Sequence, residues 1–250
     1  MKNTFVKFGA IAGLTLASGF SANATILTVF DGIADGVASF DSTVAAAGES
    51  VTVDIWDTIS GGVSIDRGDY VITQNDGGSG SVSGYGSMSG RVIGINPSGG
   101  GSTPRTDPMD YFGSGITFTF DSPVNAVGFE VGDWATCCSS PTTDLFISFD
   151  GGTPIMVASA SSTAEGRFPS QVNPSASVFE IFVAAFDDSD EFTTVSFWGN
   201  GIGEVLYAGG QLRYALLGQS SLPPTTSVPA PATLGMLALS LVALRRFRRS

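Results

Sequence analysis

The chain has no histidine, and both of its lysines, Lys2 and Lys7, lie within the first ten residues. From residue 25 to residue 227 the basic residues are five arginines, set against all twenty-three acidic residues, a net charge of −18. These absences remove most of the common catalytic repertoire from that region. A Ser-His-Asp triad, a Cys-His pair, a Schiff-base lysine, a P-loop lysine and a His-ligated zinc are all excluded. So strongly acidic a surface also repels nucleic acid and anionic lipid, so no nucleic-acid partner is expected.

Cysteine is almost as scarce. Cys137 and Cys138 stand side by side in DWATCCSSP, and neighbouring cysteines bridge only through a strained ring. A vicinal disulfide, bonds to other chains and two free thiols all stay open, and the reading leans to the vicinal bridge. Two adjacent thiols without histidine do not make a metal site.

The chemistry that remains belongs to carboxylates and hydroxyls. Paired carboxylates hydrolyse glycosides in many enzymes. Here most acids sit in turn-like contexts such as FDG (30–32), SFDGG (148–152) and DDSDE (187–191), where Asp closes a loop. The expectation is therefore not an enzyme. The DDSDE cluster is a weak calcium candidate that lacks the Gly-punctuated EF-hand spacing. It reads as a solvated turn, and no cofactor or metal is expected.

The two ends carry the remaining positive charge. At the N-terminus, Lys2 and Lys7 precede an apolar stretch from Phe8 to Phe20, followed by Ala22 and Ala24 at an A-x-A site. This is the pattern of a secretory signal peptide, residues 1–24, cut after Ala24. At the C-terminus, Ala232 to Leu244 form an apolar run closed by Arg245, Arg246, Arg248 and Arg249. Thirteen helical residues span about 20 Å, against a hydrocarbon core of about 30 Å, and counting from Val228 reaches the lower limit for crossing. The run has no amphipathic face, so a membrane helix is expected. The positive-inside rule leaves the arginines in the cytoplasm and the rest of the chain outside it.

Between the ends, short apolar runs alternate with Gly, Pro, Asp and Ser clusters. In GITFTFD (115–121), Ile116, Phe118 and Phe120 alternate with threonines, the period of a half-buried strand. Similar runs occur at 25–30, 50–56, 69–73, 91–95, 125–131, 144–149, 154–158, 177–186 and 192–198. No stretch is expected to be a helix. The pattern predicts an all-β domain over 25–217, an antiparallel β-sandwich or jelly roll, with phenylalanine filling its core. A Gly/Ser-rich excursion (74–115) reads as a long mobile loop. A Pro/Ser/Thr linker (218–227) suits an extended spacer.

The order of parts at the C-terminus resembles the PEP-CTERM sorting signal, over residues 228–250. Val228-Pro229-Ala230-Pro231-Ala232-Thr233-Leu234-Gly235 is similar to that family's opening, followed by an apolar segment and a basic end. Ala230 departs from the pattern, standing where the family usually has Glu. FTFDSPVNAVGFEVGDW (118–134), LFISFDGG (145–152) and FTTVSFW (192–198) likewise resemble the β-sandwich ectodomains common among such proteins. The resemblance implies export in a Gram-negative bacterium that makes extracellular polysaccharide. It also implies a stay in the inner membrane with the ectodomain in the periplasm. Cleavage by exosortase, a membrane protease, would then pass the ectodomain to the cell surface or matrix.

The leading expectation is thus an exported, non-enzymatic surface or matrix protein. The alternative is a jelly-roll carbohydrate-binding module that stacks sugars on exposed rings. Its ring candidates are Trp56, Tyr85, Tyr111, Trp134 and Trp198, of which only Tyr85 or Trp134 is expected to be exposed.

Overall fold

The computed structural model describes residues 25–95, 107–136, 144–199 and 205–223. In chain order the first half runs β1 (Ile26–Gly32), α1 (Ile33–Ala46), β2 (Thr52–Ile55), β3 (Ser64–Asp66), β4 (Tyr70–Gln74), β5 (Val82–Gly84), β6 (Arg91–Ile95), β7 (Ile116–Val124) and β8 (Ala126–Gly132). The second half adds β9 (Leu145–Phe149), β10 (Ile155–Ala158), β11 (Phe168–Pro169), β12 (Ser177–Val178), β13 (Glu180–Asp187), β14 (Phe192–Gly199) and β15 (Leu206–Ala215). These strands make the antiparallel sandwich expected from the alternating runs. One sheet has the order β1-β13-β8-β15-β6-β5, with β2 also paired to β15, and the other β10-β9-β14-β7-β4-β3. A small ribbon, β11-β12, stands apart from both.

The main core fills the space between the sheets. Phe118 on β7 meets Phe129 on β8 with ring centroids 5.6 Å apart, and Phe129 meets Phe197 on β14 at 4.7 Å. Strands β8 and β13 are buried on both faces, which explains their nearly continuous apolar sequences. Part of their outer face lies under α1. Phe40 of the helix packs on Phe182 and Phe186 of β13, beside Ala126 and Ala184.

Helix α1 corrects the expectation that the region contains no helix. Ile33, Val37, Phe40 and Val44 are spaced four, three and four residues apart, the stripe of an amphipathic helix. The signal is diluted by Ala, Ser and Gly36, which is buried where the helix approaches Phe182 most closely. The helix ends where Gly48 takes a left-handed φ of 87°.

Strand β15 was also outside the expected set, although it lies in the middle of its sheet. Gly209 and Gly210, with φ of 138° and 67°, interrupt its apolar pattern. They form a bulge at which the register with β8 shifts and the partner on the other edge changes from β6 to β2. A side chain at Gly209 would overlap the Trp56 ring, so glycine is needed for close approach as well as for the turn.

Among the described residues no helix is long and apolar enough to cross a membrane. The predicted sorting signal, signal cleavage site and cysteine pair (Val228, Pro229, Ala230, Pro231, Arg245, Arg246, Arg248, Arg249, Ala22, Ala24, Cys137, Cys138) lie outside the described residues.

Candidate functional site

At the end of the sandwich where β15 begins, Tyr207 points out of the first sheet between Gly94 of β6 and Gly132 of β8, its partners in register. Absence of a Cβ at Gly132 leaves room for a second ring. Tyr85 lies against Gly132 and stacks on Tyr207, with centroids 4.6 Å apart and planes 22° from parallel. Its hydroxyl donates to Asp133 Oδ1 at 3.1 Å. Burial, with the charge of Asp133 behind it, pushes the Tyr85 phenol above its ordinary range, so it remains a neutral donor.

Residues 85–90, YGSMSG, fall within the stretch read as a mobile loop, yet this part is fastened to the sheet. Glu180 and Glu130 lie diagonally on the same outer face, opposite Gly132 and Phe182 respectively. The Ser87 amide donates to Glu180 at 2.9 Å, and the Ser87 hydroxyl donates to the other carboxylate oxygen. Ser89 treats Glu130 in the same way, with its amide 2.8 Å and its hydroxyl 2.5 Å from the two oxygens. Gln211 Nε2 donates to Glu130 as well, at 2.6 Å. Gly86 is required here, since a side chain at that position would run into the Glu180 carboxylate.

Both glutamates are buried. Burial pushes the Glu130 carboxyl above the usual carboxylate range. The donors from Ser89 and Gln211 oppose this, and the charge of Glu180 adds to it. Each carboxylate oxygen of the pair already accepts a hydrogen bond from the segment above it. The geometry is that of two latches holding a loop rather than of an acid and base facing a substrate.

Beside Tyr207 opens a cleft of about 640 Å³, lined by Gln74, Asp76, Gly94, Gly113, Ser114 and Tyr207 among others. It combines a carboxylate, an amide, a hydroxyl and one half-buried ring. A Cβ at Gly94 would meet no atom within 4 Å, and one at Gly113 would meet only Asp76 Cβ at 3.9 Å. The two glycines therefore keep the cleft open without being needed for packing.

Of the rings considered for sugar stacking, Tyr85 is half-buried in the tyrosine pair. Trp134 is a correction, being fully enclosed. The left-handed backbone of Asp133 and Ala135 (φ 61° and 57°) flanks it, and its indole packs edge-on against Phe30 at 4.9 Å. Trp56, Tyr111 and Trp198 are buried too. Tyr207 was missed because the Gly-Gly bulge hid its strand, although a tyrosine flanked by LYAGG was there to be read.

The DDSDE turn is also corrected in part. Asp188 does not solvate it, since its side chain is fully buried. Its Oδ1 accepts from the Thr25 amide at 2.6 Å, and its Oδ2 from the Leu222 amide at 2.8 Å. Asp187 and Asp190 accept from amides of the turn itself. Among the described residues no group of three or more acidic or cysteine side chains is placed to hold a metal ion.

No family model and no curated protein matches the chain. Among solved structures, two bear a weak likeness to the chain. One is the catalytic unit of a thermostable GH87 alpha-1,3-glucanase from Streptomyces thermodiastaticus strain HF3-3. Identity is 12% and the TM-score 0.33, covering 72% of this chain and 28% of that one. The other is the catalytic domain of a GH87 alpha-1,3-glucanase variant in complex with tetrasaccharides. Identity is 14% and the TM-score 0.30, covering 66% and 30%. The chain thus spans less than a third of the length of either.

Proposed function

We propose that the protein is an exported, non-enzymatic surface or extracellular-matrix protein. In this reading its C-terminal segment holds it in the inner membrane until an exosortase-type protease releases it. One observation carries the reading: the sequence patterns of a signal peptide, an acidic β-sandwich, a Pro/Ser/Thr linker, Pro-Ala-Pro, a short apolar run and an arginine cluster follow one another in functional order. An apolar run of marginal length suits a transient anchor. The test is the mass of the protein recovered from hosts with and without exosortase. Loss of Arg245 to Arg249 only where the protease is present supports the reading. Retention of those arginines in both hosts overturns it and leaves a permanently anchored ectodomain.

The second reading, a module that binds carbohydrate, is favoured by the cleft beside Tyr207. A sugar presents hydroxyls to carboxylates, amides and hydroxyls at its edge and C–H groups to a ring, and Asp76, Gln74, Ser114 and Tyr207 offer that set. The net charge of the exported region points to uncharged glycans over acidic ones. Hexasaccharides of neutral glucans, galactans and mannans should therefore bind in preference to alginate or hyaluronan. Gly94→Trp and Gly113→Trp each put a ring into the cleft from a position where an added Cβ meets no close atom, and either should abolish the binding. Binding that survives both substitutions places the sugar elsewhere.

A further inference from the structure

Asp188 is a buried carboxylate with no cationic partner among the described residues. Among the described residues the ion pairs are Arg67 with Asp54 and Arg213 with Asp41. Burying an ionised carboxylate is costly unless a countercharge or a full set of donors compensates. Asp188 lies where the two ends of the described fold converge. Its carboxylate receives the amides of Thr25 and Leu222, its own amide donates to Thr25 O at 3.4 Å, and its carbonyl accepts from Ser220 N at 3.1 Å. Thr25 itself is only 5% exposed. It is also the residue that follows the predicted cleavage site at Ala24.

We infer that Asp188 is a receptor for a newly made N-terminus, so that removal of the leader completes the fold with a buried ion pair. This rests on the reading of residues 1–24 as a cleaved leader. Hydrolysis of the Ala24–Thr25 peptide bond consumes one water. The water oxygen goes to Ala24 as part of a carboxylate, and both water hydrogens go to Thr25 N, which becomes an ammonium. The nitrogen that lies 2.6 Å from Asp188 Oδ1 thereby changes from a neutral donor of one hydrogen bond to a cation with three N–H groups. Charge-assisted bonds of this kind are roughly twice as strong as neutral ones. The same carboxylate holds Leu222, so the gain at one end also fastens to the sandwich the first part of the stretch read as an extended linker, where Leu222 is buried.

The test compares two full-length mature chains in a detergent without sugar headgroups, one beginning at Thr25 and one at Ala22. In the second chain the ammonium is displaced by three residues and an amide faces Asp188. Asp188→Asn removes the charge and keeps the shape. It should lower the folding equilibrium constant roughly ten-fold more in the Thr25 chain than in the Ala22 chain, a coupling within the range seen for directly interacting groups. Equal losses in the two chains would show that Asp188 is only a hydrogen-bond acceptor, and would overturn the inference. If Asp188→Asn folds in neither chain, the unsubstituted Thr25 chain must still be about ten-fold more stable than the Ala22 chain. Mass analysis of the exported protein is the other arm. An N-terminus other than Thr25 sinks the receptor role while leaving the tail-sorting reading intact, whereas retention of residues 1–24 sinks the leader reading itself.

Discussion

The Trp56 indole N–H donates to the Tyr70 hydroxyl at 2.7 Å, and the bond runs from one sheet to the other. Trp56 follows β2 in the first sheet, and Tyr70 opens β4 in the second. Tyr70 in turn donates to Asp54, and Asp54 takes Arg67 in a two-pronged pair at 2.9 and 2.6 Å. Burial and the Asp54 charge hold the Tyr70 phenol well above its ordinary range, so it stays a donor throughout physiological pH.

Tyr70→Phe keeps the ring and removes the link. The indole N–H of Trp56, which is fully buried, is left without its acceptor, and Asp54 loses a donor. An unsatisfied buried donor costs about 1–3 kcal/mol. The expected result is a lower urea midpoint with an unchanged slope, as for a loss of stability without a change in the surface exposed.

Glu130 gives a pH signature of unusual sign. Its folded-state carboxyl is raised by burial, so the folded chain holds that proton to higher pH than the unfolded chain does. Its contribution to stability is present at acid pH and is lost as pH rises through the folded value. The stability of the wild type minus that of Glu130→Gln should therefore fall as pH rises above the ordinary glutamate value of about 4.3. Denaturant unfolding of both proteins at several pH values measures this. A difference that grows with pH would place the folded carboxyl below its ordinary range.

Two effects of opposite sign meet in Gly36→Ala. Alanine favours a helix interior by about 1 kcal/mol over glycine. Its methyl, however, would lie 2.6 Å from Phe182 Cβ, and overpacking of that kind costs about 1–3 kcal/mol. The steric conflict outweighs the gain in helix preference, so the variant should melt below the wild type.

Millimolar calcium should leave the melting temperature unchanged, because Asp188 is occupied by two backbone amides and Asp187 and Asp190 by their own turn. A ligand that binds only the native state raises stability with concentration. A rise of many degrees, absent in an Asp187→Ala variant, would reveal a site that the turn builds on binding.

The strands legible in the sequence were those whose signal is local. β7 shows its alternation in five consecutive residues, and the expected run at 91–95 coincides with β6. β15 was hidden because two glycines break its period, and Tyr207, the half-buried ring of the cleft, was lost with it. Glu130 and Glu180 sit inside apolar runs that mark strands and give no hint of what faces them. Their partners Ser89 and Ser87 are 41 and 93 residues away. Asp188 is the clearest instance. Composition around it describes a turn, whereas its role is set by Thr25 and Leu222, which only the register of the sheet brings to one place.

The position of β15 has a mechanical consequence. It is the last strand among the described residues and leads to the exit of the described chain near Leu222, with β8 along one edge and β6 and β2 along the other. A pull on the tail first meets the Leu222 contact with Asp188 and then draws β15 lengthwise between its neighbours. Hydrogen bonds loaded in that direction share the force, instead of parting one by one as they do when an outer strand is peeled away. Ten residues of strand, about 33 Å, also separate that exit from the end where Tyr207 and the cleft lie. A protein tethered at one pole would thus bear the load along its most firmly held strand while keeping the cleft turned away from the tether.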